Sequence, residues 1–233
     1  ETAFFMGTPA LDAEENLFTG CMNWGTHLHA ISHTGTAMWT YDAGGRPGMS
    51  SPALAPDGSI YFATMDNGRV IALNPDGSLK WYHQSGNWVR AAPCLGADGT
   101  VYIGSTSGSF HAFSPDGTRK WSYSGTGTWF PSPACLDENG RIYVACGEGV
   151  LHALNPSGSV RWVKQLGVSR LDYTVPAISL RSIYLRRDDT HLLSLSLDGE
   201  DQWQFVMSTR FSRSIITSGP TIGSDGTVYT GSG

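Results

Sequence analysis

The chain reads as an all-β protein, a β-propeller of four-stranded antiparallel blades with five full repeats and a half repeat at its C-terminal end. Three observations carry this reading. First, the pattern Gly, three residues, Trp occurs five times, at Gly35 to Trp39, Gly77 to Trp81, Gly117 to Trp121, Gly158 to Trp162 and Gly199 to Trp203, with the Trp residues 42, 40, 41 and 41 positions apart. A period near 41 residues marks one supersecondary unit copied many times, each copy too small to bury its own apolar face. Second, other columns keep the same step. An aliphatic-aromatic pair recurs at Leu17-Phe18, Ile60-Tyr61, Val101-Tyr102, Ile142-Tyr143, Ile183-Tyr184 and Val228-Tyr229, with a proline upstream at Pro9, Pro52, Pro93, Pro133, Pro176 and Pro220. Third, no stretch shows a helical period.

Within one copy, Ser51 to His83, β-branched and aromatic runs alternate with Asp-Gly and Asn-Gly turns. Glycine enters positive φ without steric cost, so these dipeptides close hairpins. Four strands are expected: Ala53 to Ala55, Ile60 to Thr64, Val70 to Asn74 and Leu79 to Tyr82. The runs Ile60-Tyr61-Phe62 and Val70-Ile71-Ala72-Leu73 are apolar at consecutive positions, which requires cover on both sheet faces. Sheets packed face to face around an axis provide it. The repeats fall near 8–48, 49–90, 91–130, 131–172 and 173–216, with the half repeat at 217–233, in a single domain over 1–233.

The segments "DGSIYFATMDNGRVIALNPDGSLKW" (Asp57 to Trp81) and "DGTVYIGSTSGSFHAFSPDGTRKW" (Asp98 to Trp121) resemble the quinoprotein-type repeat, the blade unit of PQQ-like β-propellers, and the resemblance spans nearly the whole chain. It implies that Trp39, Trp81, Trp121, Trp162 and Trp203 dock adjacent blades. Burying one indole removes about 150–250 Å² from water, up to about 4–6 kcal/mol at 25 cal/mol per Å². The family includes quinone-dependent dehydrogenases as well as non-catalytic scaffold and adaptor propellers, among them an outer-membrane assembly lipoprotein. The dehydrogenases have more blades than the repeats counted here and an adjacent Cys-Cys pair that this chain lacks. The expectation is therefore a non-catalytic scaffold or binding module without a cofactor, periplasmic or extracellular, with a fragment of a PQQ- and calcium-dependent oxidoreductase as the alternative.

Composition agrees. The 233 residues are 40% hydrophobic and 15% charged, with 29 Gly, as in a turn-rich β domain. A net charge of −5 argues against nucleic acid or an anionic membrane as partner, and no apolar run is long enough to span a bilayer. The open half repeat predicts a piece of a longer propeller, completed by further sequence or another chain; a cap on a five-bladed ring is the alternative. The cysteines Cys21, Cys94, Cys135 and Cys146 fall in two repeat columns and read as small buried residues, with a Cys94–Cys135 disulfide conceivable. His29 shares a column with His111 and His152, which favours packing over a metal site built from His27, His29 and His33.

A ligand is expected where residues break the repeat. Connections from the fourth strand to the next first strand, and from the second to the third, share one end of each blade. The first kind carries Trp88, Arg90, Trp129, Phe130, Arg170, Tyr173, Arg210, Phe211 and Arg213. The second carries Trp24, Asp66, Asn67, Glu148, Asp188 and Asp189. Trp88 and Trp129, 41 residues apart in equivalent loops, lead the candidates, and aromatic platforms beside cations suit a protein or glycan. Carboxylate clusters at Asp12 to Glu15 and Asp188 to Asp189 read as solvated turns.

Overall fold

The structure, a computed structural model, describes residues 7–21, 25–47, 50–85, 87–125, 129–168, 174–188, 190–207 and 219–231. These residues form only strands and turns. The first sheet holds β1 (Ala10–Leu11), β2 (Leu17–Gly20), β3 (His27–Ile31) and β4 (Ala37–Asp42). The second holds β5 (Ala53–Leu54), β6 (Ile60–Ala63), β7 (Arg69–Leu73) and β8 (Leu79–Gln84); the third β9 (Cys94–Leu95), β10 (Val101–Gly104), β11 (Ser109–Phe113) and β12 (Arg119–Ser124). The fourth holds β13 (Cys135–Leu136), β14 (Ile142–Cys146), β15 (Val150–Leu154) and β16 (Val160–Gln165); the fifth β17 (Ala177–Ile178), β18 (Ser182–Arg186), β19 (His191–Ser196) and β20 (Asp201–Val206). A two-stranded sheet, β21 (Thr221–Ile222) and β22 (Val228–Tyr229), covers the half repeat. Each four-stranded sheet runs in chain order and the strand pairs are antiparallel, as consecutive hairpins require. The chain divides into two units, Glu1–Ser122 and Tyr123–Gly233.

Within each unit the sheets pack face to face. Leu28 and Ala30 of the first sheet meet Ile60, Phe62 and Ile71 of the second. Tyr61, Val70 and Ala72 of the second meet Val101, Ile103 and Phe113 of the third. In the other unit, Tyr143, Leu151 and Ala153 meet Ile183, Leu185 and Leu195. The two inner strands of a repeat are therefore buried at successive positions, whereas the outer strands β8 and β16 alternate between half-buried and exposed.

The Trp column makes a repeated contact. Trp39 Nε1 donates to the Pro75 carbonyl (3.0 Å), Trp81 Nε1 to Pro115 (2.9 Å) and Trp162 Nε1 to Leu197 (3.1 Å), each acceptor lying in the third-to-fourth-strand turn of the following sheet. The glycine of that turn lies on the indole face: a Cβ on Gly77 would sit 2.6 Å from Trp39, on Gly117 2.7 Å from Trp81, and on Gly199 3.0 Å from Trp162. These glycines also hold φ near +85°. The Gly-x-x-x-Trp motif thus joins two different interfaces, its glycine receiving the previous indole and its Trp meeting the next turn. Trp121 lies beside Tyr102 and Phe110 of its own sheet. Trp203 departs from the docking expectation. It is 45% exposed, touches Tyr184, and lines an open cleft of about 1070 Å³ with Thr221, Val228 and Tyr229. The β21–β22 pair offers it no third-to-fourth-strand turn, so among the described residues its N–H meets no such carbonyl.

A β-bulge recurs where the third strand meets the fourth, at Ala30/Ile31, Ala72/Leu73, Ala153/Leu154 and Ser194/Leu195. It sets one extra residue beside each Trp and adds local twist. In the second and fourth sheets that residue is put to polar use: Lys80 reaches Asp57 and Ser59, and Arg161 reaches Asp198, whereas in the first it is the exposed Met38. All four cysteines are free, so the conceivable Cys94–Cys135 disulfide is absent; Cys135 Sγ instead faces the Pro176 carbonyl.

A second inter-strand column, two residues past each Trp, is aromatic or cationic. Tyr41 meets Phe62, His83 meets Phe113 and His111, Tyr123 meets His152, and Lys164 Nζ donates to Gly199 O (2.9 Å). The histidine column is thereby buried. His111 pairs with Ser122 Oγ (2.6 Å) and His152 with Tyr123 OH (2.9 Å). Burial, aided at His111 by His83 and Arg119, pushes both imidazoles down to about 4; at His152 Glu148 opposes the shift only partly.

Three measurements test this packing. Gly117→Ala should lower stability by roughly 2–4 kcal/mol, because it adds a methyl against Trp81 and strains a positive φ; an unfolding midpoint equal to the parent's would contradict the close approach. Glu15 holds φ +62° at the position where four of the other five first-to-second-strand turns carry Gly58, Gly99, Gly140 and Gly226. Glu15→Gly should therefore stabilise by about 1 kcal/mol, read in denaturant unfolding. Finally, His111 and His152 have folded pKa values below the unfolded 6.5, so the unfolded chain binds protons first as pH falls. Their contribution is complete above about pH 6.5 and is lost toward pH 4, up to about 3 kcal/mol per group. Midpoints measured across that range should fall, and His152→Phe should flatten the slope.

Candidate functional site

After the first, second and third sheets the connection leaving the fourth strand is clamped by the second-to-third-strand turn of the next sheet. Met65 N–H donates to Arg46 O (2.9 Å), Thr106 N–H to Trp88 O (2.9 Å) and Gly147 N–H to Trp129 O (3.0 Å). Arg46, Trp88 and Trp129 therefore occupy one column with fixed backbones. Arg46 was not singled out by sequence reasoning, although its spacing of 42 residues from Trp88 is the repeat length.

The three side chains diverge. Trp88 is 45% exposed, with the Arg90 guanidinium 5.1 Å from its ring centroid. Stacking on a planar cation limits the rotamers of an indole already anchored through its backbone. Trp129 is half-buried, and its indole lies so close to Gly147 that no side chain could replace that hydrogen. Arg46 turns to the next sheet: its N–H donates to Asp66 Oδ1 (2.8 Å) and its Nε to Asp66 Oδ2 (3.2 Å). Burial opposes ionisation of Asp66, but these bonds bring its carboxyl below the usual range.

Other candidates are placed differently from expectation. Phe130 is fully buried against Tyr123 and His152, so it belongs to the core and cannot touch a ligand. Asp66 is committed to Arg46, and Asn67 Nδ2 donates to Gly44 O (2.8 Å) while its Oδ1 accepts from the Thr64 hydroxyl; both residues tie one loop to the preceding one. Their polar groups are consumed in the fold. Trp24, Arg170 and Tyr173 lie outside the described residues, as do Asp189, Arg210, Phe211 and Arg213. The exposed site reduces to Trp88 with Arg90, flanked by Asn87, whose Oδ1 accepts from Trp88 N–H (3.1 Å).

Among the described residues no group of three or more His, Cys, Asp or Glu could hold a metal ion. A calcium-bound quinone needs clustered oxygen donors, so these residues do not fit that group. The described residues contain no helix long and apolar enough to cross a membrane.

Comparison with known proteins gives the same repeat type. A family model described as outer membrane protein assembly factor BamB matches residues 25–132 and 128–233. Over 57 residues, 22% of this chain and 13% of the other, the sequence is 46% identical to the uncharacterized protein YxaL of Bacillus subtilis. Among solved structures, BamB from Moraxella catarrhalis superposes with a TM-score of 0.73 at 18% identity, covering 94% of this chain and 66% of that one. The quinohemoprotein alcohol dehydrogenase from Comamonas testosteroni superposes with a TM-score of 0.71 at 17% identity, covering 88% and 43%. The chain thus spans less than two thirds of each of these relatives. Structural likeness at such identities shows the fold, which these proteins share while differing in role. With both halves of the chain matched by the family model and five four-stranded sheets built on one Trp-containing repeat, this chain belongs to the PQQ-like repeat β-propeller family.

Proposed function

We propose that the chain is a non-catalytic binding module that takes a protein partner on its loop face, centred on the Trp88–Arg90 pair. One observation carries the reading. At the loop end of the second repeat, a half-exposed indole stands fixed by its backbone bond to Thr106 and by a stacked guanidinium. Preorganised Trp and Arg side chains are the residue types that dominate protein interfaces, because they bury much area with little rotamer entropy left to lose. The family model's description as an assembly factor supports a protein as the occupant.

The reading is tested by affinity capture from the source organism's extract with wild-type and Trp88→Ala chains, followed by titration calorimetry with the purified captured protein. Trp88→Ala should weaken that association at least tenfold, as removal of a hot-spot indole does, while the thermal midpoint stays within a degree or two. Undiminished binding by both Trp88→Ala and Arg90→Ala would overturn it. So would Trp88-dependent retention on a glycan array in place of a protein, or a stoichiometric absorbance change on incubation with PQQ and calcium.

A further inference from the structure

Two residues past the aromatic of each repeat, the second strand ends in a small residue: Gly20, Ala63, Gly104 and Ala145, all buried. The fifth repeat places Arg186 there. Its residue is 94% buried by exposure of 6%, its Nε has no hydrogen-bond partner, and among the described residues it forms no ion pair. A guanidinium cannot escape this by losing its proton. An unpaired buried charge is among the costliest features a fold can hold.

The adjacent acid does not serve it. Asp188 accepts from Thr190 N–H (2.8 Å), Thr190 Oγ1 (2.7 Å), His191 Nδ1 (2.9 Å) and Arg187 Nε (3.2 Å). Those bonds outweigh the opposing effect of burial and bring its carboxyl down to about 2, so it is an anion already fully subscribed.

A second orphan lies in register with the first. In the second sheet Ala53 pairs with Tyr61, and Ser50, three residues before Ala53, accepts at Oγ from the N–H of Ala63 (3.1 Å). In the fifth sheet Ala177 pairs with Tyr184, which makes Thr174 the counterpart of Ser50 and Arg186 that of Ala63. Thr174 is fully buried and its Oγ1 has no partner; the equivalent Ser132 of the fourth sheet is likewise buried with an unpartnered Oγ, but there the strand residue beside it is Ala145, so only the fifth sheet sets such a hydroxyl beside a cation. The repeat thus brings an unpartnered hydroxyl and an unpartnered guanidinium Nε to one end of one sheet, the end that carries the second-to-third-strand turn.

We propose that Arg186 and Thr174 form a binding site for a small oxyanion, a carboxylate or a phosphate. The parallel N–H bonds of a guanidinium match two oxygens of such a group, and the threonine hydroxyl supplies a third donor. Bound there, the anion neutralises the charge and satisfies both orphans in one step. The site is independent of the Trp88–Arg90 surface, so either can fail without the other.

The test is thermal unfolding of the full chain at constant ionic strength, with chloride replaced stepwise by inorganic phosphate or by acetate. The wild-type midpoint should rise saturably, by about 5 °C at a hundredfold excess over Kd. A rise with acetate alone assigns a carboxylate, and a rise with phosphate alone assigns a phosphate. Arg186→Ala, which restores the repeat's small residue, should show no anion-dependent rise and should melt above the wild type in chloride. Thr174→Val should fold normally and bind at least fivefold more weakly by calorimetry. Equal shifts in wild type and Arg186→Ala, no shift of the wild type with either anion, or an Arg186→Ala chain that fails to fold in chloride would each overturn the proposal.

Discussion

The contact between an indole and a glycine turn is the constraint on which the rest of this architecture depends. Trp39, Trp81 and Trp162 each lie against a glycine of the following sheet and donate to a carbonyl two residues before it. The turn must keep its length, its glycine must keep a positive φ, and the carbonyl must face the indole. A shift of one residue would break the hydrogen bond and drive a side chain into the ring. This is a physical reason for a period held within 40 to 42 residues while loops elsewhere vary.

Once the outer strands are fixed in this way, the inner strands are enclosed, and polarity there must be resolved locally. The histidine column shows how. His111 and His152 are kept neutral and given hydroxyl partners from Ser122 and Tyr123. Bulges serve the same end on the outer strand, turning Lys80 and Arg161 toward carboxylates. Arg186 Nε and Thr174 Oγ1 are enclosed by the same geometry without internal partners, as are His152 Nε2 and Ser132 Oγ.

The loop ends behave differently because they are anchored by backbone and not by side chain. The bonds from Met65, Thr106 and Gly147 fix Arg46, Trp88 and Trp129 through their carbonyls, which leaves the side chains free to diverge. Arg46 is drawn into an ion pair, Trp129 settles on a glycine, and Trp88 remains outward. A family that shares one scaffold among proteins of different roles can vary this column without disturbing the docking contacts.

The amino-acid sequence by itself determined the sheet count, the strand order and the Trp-based repeat, since hairpin connections are local and a 41-residue period survives in plain text. Consecutive apolar residues at Ile60 to Phe62 and Val70 to Leu73 also revealed two covered faces. Only the tertiary structure decided which loop residues are available. Phe130 and Trp88 look alike in sequence, yet one is enclosed by Tyr123 and His152 and the other stands in solvent beside Arg90. Asp66 and Asn67 looked like ligands until their hydrogen bonds to Arg46 and Gly44 were visible. The contacts of Phe130 with His152, of Arg46 with Asp66 and of Asn67 with Gly44 join residues 20 or more positions apart, and no local pattern of residues encodes them or the burial they impose.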